Sequence, residues 1–67
     1  MKIKTNAEIK KRFLSGYLSA KTLIEYLISK GFETSLETSK TSLNDLTYEN
    51  KQIKNVSISL DTINIKF

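Results

Sequence analysis

At 67 residues, with 39% hydrophobic and 27% charged side chains, the chain has the composition of a small globular domain rather than a disordered segment. Cysteine and histidine are both absent, which excludes disulfides, thiol nucleophiles, imidazole bases and zinc sites of the ordinary type. A net charge of +4 leaves anionic partners open. The longest apolar run, Tyr26-Leu27-Ile28, is far too short for a secretory signal or a membrane span, so a cytoplasmic protein without membrane contact is expected.

Residues Met1 to Lys4 alternate, with Met1 and Ile3 on one side and Lys2 and Lys4 on the other, as in a short strand with one buried face. The stretch from Thr5 to Phe32 then reads as one long amphipathic helix. Thr5-x-x-Glu8 has the form of a capping box. Gly31 stands where a left-handed residue ends a helix, with Phe32 placed to pack back on Leu27. At about 100° per residue, Ile9, Phe13, Gly16, Tyr17, Ala20, Leu23, Ile24, Leu27 and Ile28 fall within an arc of roughly 140°. The phase runs through Ser15-Gly16 unbroken, although Gly16 inside a helix costs about 1 kcal/mol against alanine. Leu14 and Leu18 lie outside the arc and widen the apolar face to roughly 220°, beyond the ~100° stripe that covers one sheet face. Tyr26 falls on the polar side.

After Gly31, Phe32 to Thr38 has β-formers at alternating positions, and a turn at Ser39-Lys40 would pair Leu36 with Leu43. Residues Leu43 to Gln52 are ambiguous. Ser42-x-x-Asp45 can cap a helical turn, whereas a strand at Leu46-Thr47-Tyr48 followed by a turn near Asn50-Lys51 is the preferred reading. From Val56 to Phe67 the alternation changes phase at Asp61-Thr62. A two-residue turn there pairs Leu60 with Ile63, Ile58 with Ile65 and Val56 with Phe67 on one face; the alternative is one long strand with a bulge at the phase change. The expected architecture is a single small two-layer α+β domain over residues 1–67. One long helix crosses an antiparallel or mixed sheet in the order β-α-β-β-(β)-β, and Lys2, Lys4, Ser57, Ser59, Asn64 and Lys66 face solvent.

No chemistry can be assembled from this inventory. The only glycines are Gly16 and Gly31, so neither a phosphate-binding loop nor a dinucleotide fingerprint exists. No serine has a lysine three positions on, and the acid pairs Glu33/Glu37 and Asp45/Glu49 have no evident partner. No catalytic residue, metal or cofactor is therefore expected, and the chain reads as a non-enzyme.

Two functions from different classes remain. A core this small is marginal, because such a chain buries only about 60% of its unfolded surface. With disulfides excluded, oligomerisation is the available remedy. The broad apolar face suggests a homo-oligomer, most simply a dimer, or an unidentified protein partner, docked at Leu14, Tyr17, Leu18 and Ile28. Size and composition suit the small accessory proteins of phages and mobile elements. The alternative is a basic nucleic-acid-binding or regulatory protein using Lys2, Lys4, Lys10, Lys11 and Arg12. The three helical members of that cluster spread around the helix as a ring rather than a stripe, which favours simple solvation.

Overall fold

The computed structural model describes residues 1–67. Strand β1 (Lys2–Lys4) leads into helix α1 (Ala7–Leu14), and helix α2 (Ala20–Ser29) follows. Two short 3-10 turns (Thr38–Lys40 and Leu43–Asp45) precede β2 (Thr47–Tyr48), β3 (Lys51–Gln52), β4 (Asn55–Ser59) and β5 (Thr62–Lys66). The order is thus β-α-α-β-β-β-β, a mixed α+β fold with antiparallel pairing throughout.

The single long helix expected from the hydrophobic phase is two helices. Gly16 adopts φ +75°, the left-handed conformation that only glycine enters freely. Around it the Tyr17 N–H donates to the Arg12 carbonyl at 2.9 Å and the Gly16 N–H to Phe13 at 3.2 Å. This is the Schellman pattern that closes a helix. Ser19 then starts α2 by accepting the Thr22 N–H at 3.2 Å. Gly31 repeats the stop, with φ +108° and the Phe32 N–H on the Leu27 carbonyl at 3.1 Å, as its position implied. The cap at the front is Asn6, whose Oδ1 accepts the Ile9 N–H at 2.8 Å. Thr5, the expected cap, instead has its hydroxyl buried without a partner.

In the three-stranded sheet the order is β1-β5-β4, with β5 central. Ile63 lies between Ile3 on β1 and Ile58 on β4, and Val56 stands opposite Ile65. The turn joining β4 and β5 is Leu60-Asp61, one residue earlier than expected, so Leu60 is exposed and Phe67 pairs with nothing on β4. The expected register differs from this one by two positions, and a two-position slip leaves every side chain on the same face. Alternation cannot separate the two registers; the pairing of Ile63 with both neighbours does.

The segment between helix and sheet departs most from expectation. No hairpin forms at Ser39-Lys40: only Glu33 bridges to Thr47, and Leu36 is exposed. Residues 43–52 adopt both local forms, a 3-10 turn at Leu43–Asp45 and then a β2–β3 hairpin. That hairpin turns through Glu49 and Asn50, both at positive φ, the combination that suits the twist of a two-residue hairpin.

One cluster of 11 buried apolar residues holds these pieces together, with Leu27, Leu46 and Ile63 fully enclosed. Phe32, Tyr48 and Phe67 pack as an aromatic group, with ring centroids 5.0 Å apart for Phe32–Tyr48 and 6.2 Å for Tyr48–Phe67. Tyr26, expected on the polar side, is buried and reaches the Lys4 carbonyl.

Candidate functional site

The early end of α1 separates the residues that sequence placed on one apolar ridge. Leu14 is 63% exposed and Tyr17 is 78% exposed, whereas Leu18 and Ile28 are half-buried against the core. The proposed contact set is therefore divided: two members are free, and two serve the chain's own interior. Phe13, read from the helical arc as a core residue, is also exposed. Ile9 is the only buried residue of α1; Phe13 follows one turn later inside the helix, and the helix ends at Leu14 with Phe13 and Leu14 exposed.

Beside this corner lies an open groove of about 330 Å³ lined by Glu8, Lys11, Arg12, Ser15 and Tyr17. Arg12 Nε donates to Glu8 Oε1 at 3.1 Å, and the Ser15 hydroxyl donates to the Arg12 carbonyl at 3.2 Å. Both bonds are solvent-exposed, so each contributes at most a few tenths of a kcal/mol. The groove offers an acid, two cations, a hydroxyl and a phenol ring. No group of three or more His, Cys, Asp or Glu side chains that could hold a metal ion gathers in the chain. The groove lies where α1 ends at Ser15-Gly16, a stop signalled in the sequence by Ser15-Gly16 followed by Ser19.

The five cations of the alternative site do not form one patch. Ile3 points into the core between Lys2 and Lys4, so both lysines project from the opposite face of the sheet. Helix α1 packs on the core side through Ile9, and Lys10, Lys11 and Arg12 are distributed around its exposed surface. Cations of β1 and cations of α1 thus belong to different layers. What Lys2 and Lys4 join is the outward face of the sheet. Lys2 stands in a row with Asn64 and Ser57, Lys4 with Thr62 and Ser59, and Lys66 beside Asn55. This is the polar face that strand alternation predicted.

No helix is long and apolar enough to cross a membrane. Compared with protein-family models, with curated proteins and with solved structures, the chain shows no match in any of the three.

Proposed function

We propose that this chain is a non-catalytic accessory protein that acts through protein contact, and that it self-associates as a homodimer through the apolar corner at the end of α1. The observation that carries this reading is the exposure of Leu14 and Tyr17, with Phe13 adjoining, at a point where the chain's own core ends. A two-fold interface presents one surface to itself, so that surface must contain both halves of each polar pair. The groove beside the corner does so, because Glu8 lies with Lys11 and Arg12. Covering the corner with a second copy also enlarges a core that a chain of this size keeps small.

Sedimentation velocity at tens of micromolar tests the reading on the wild type and on a Leu14→Gln/Tyr17→Gln variant. Both side chains are exposed, so the variant keeps its fold. A wild-type dimer and a folded variant monomer are expected. A wild-type monomer, or a variant dimer as stable as the parent, overturns the proposal.

A further inference from the structure

The sheet carries a second surface of a different chemical kind. Its inner face buries Ile3, Ile63 and Ile65, and its outer face presents only ammonium, hydroxyl and carboxamide groups. Six of the seven side-chain carboxylates lie off this face, two on the helices and four between residues 33 and 49; the seventh, Asp61 in the β4–β5 turn, accepts the Thr62 hydroxyl at 3.2 Å at the Lys4 end of the face. Lys2 and Lys4, two positions apart on one strand, are about 7 Å from each other. Neither meets an acid across the sheet; their neighbours on β5 are Asn64 and Thr62. Lys66 extends the same unneutralised charge along the central strand. An opposite charge directly across a sheet stabilises it and a solvated protein surface ordinarily mixes both signs, so a face with three lysines and a single acid at its rim leaves positive charge for a partner.

The groups present narrow the chemistry of that partner. Lysine, serine, threonine and asparagine are side chains that contact phosphate and sugar in nucleic-acid complexes. No aromatic ring stands among them to stack an unpaired base, and no helix projects from this face to enter a groove. Nor is there an apolar side chain on it to enter a bilayer. We propose that the outward face of the β1–β5–β4 sheet binds the phosphate backbone of duplex nucleic acid without reading its sequence. The α1 cations, in the other layer, are not part of the contact. This surface is distinct from the self-association corner, and dimerisation is measured without nucleic acid, so either proposal can fail alone.

Fluorescence anisotropy with a short labelled DNA duplex over a salt series provides the test. Each phosphate neutralised contributes about −0.9 to the slope of log K against log salt, so three lysines give about −2.7 per chain, or about 40-fold weaker binding over a fourfold rise in salt. A Lys2→Gln/Lys4→Gln/Lys66→Gln variant is compared with a Lys10→Gln/Lys11→Gln/Arg12→Gln variant that loses the same net charge. The sheet variant should lose at least about tenfold in affinity at low salt together with most of the slope. The α1 variant should retain both, and a duplex of scrambled sequence should bind equally well. Circular dichroism melting confirms that both variants are folded. Three results overturn the proposal: absence of salt-dependent binding by the wild type, equal losses in the two variants, or tighter binding to a polyglutamate peptide or to phosphatidylserine vesicles than to the duplex.

Discussion

The Tyr26 hydroxyl donates to the Lys4 carbonyl at 2.7 Å, tying the middle of α2 to the end of β1. Residues 22 positions apart in sequence are thereby joined across the two layers, and a backbone acceptor on an edge strand is satisfied by a side chain. Tyr26→Phe keeps the buried ring and removes only the donor. Loss of about 1 kcal/mol is expected, the net value of a typical intramolecular hydrogen bond. Urea unfolding measures it as a lowered midpoint at unchanged slope. A surface tyrosine would show no change.

Gly16 supplies a test whose sign separates one helix from two. In the interior of a continuous helix, Gly16→Ala would stabilise by about 1 kcal/mol. At φ +75° an added Cβ meets no neighbour within 4 Å, so its cost is conformational. Destabilisation of about 1–2 kcal/mol is expected from the left-handed backbone alone. Thermal or urea unfolding of the single variant decides the sign.

Folding lowers the pKa of the Asp45 carboxyl group. The backbone N–H of Ser42 and then its hydroxyl both donate to the Asp45 carboxylate, at 2.9 Å each, and hold its pKa below the ordinary 3.8. A carboxylate depressed in this way contributes stability that is present above the unfolded-state pKa and lost as pH falls through the folded-state value. The loss therefore falls in the acid range around and below pH 3.8, while at neutral pH the contribution is fully present and does not vary with pH. In an NMR pH titration, Ser42→Ala should move Asp45 upward but not fully to its ordinary value, because the backbone donor, the larger cause, remains. A wild-type Asp45 titrating at or above 3.8 would contradict the hydrogen-bonded geometry.

Much of the fold is legible from local chemistry. Gly31 and Phe32 read correctly as a helix stop because the left-handed residue and its apolar follower are adjacent in sequence. The polar and apolar faces of the sheet follow from a period of two, and Val56, Ile58, Ile63 and Ile65 do share a face. Of the candidate surfaces, the outward positions of Lys2, Lys4 and Lys66 are readable in the same way. The break at Gly16 is written in Ser15-Gly16 and Ser19, but the hydrophobic phase continues through it and masks the stop residues. Leu18 and Ile28, expected at an intermolecular contact, flank the core, and Tyr26, expected on the polar side, is buried.

What the chain determines by itself is local: where backbone stops and starts, and which side of each strand is apolar. These depend on φ preferences, caps and alternation, all set within a few residues. Tertiary structure decided the β4–β5 register, because two registers keep identical faces and only the placement of Ile63 between Ile3 and Ile58 distinguishes them. It decided the burial of Tyr26 through an acceptor on another element. It also divided the basic cluster, since Lys2 and Lys4 follow the pleat of β1 outward while Lys10, Lys11 and Arg12 follow α1 to the opposite layer. Nearness in sequence constrains two cations only until the chain turns between them, and here it turns at Thr5-Asn6.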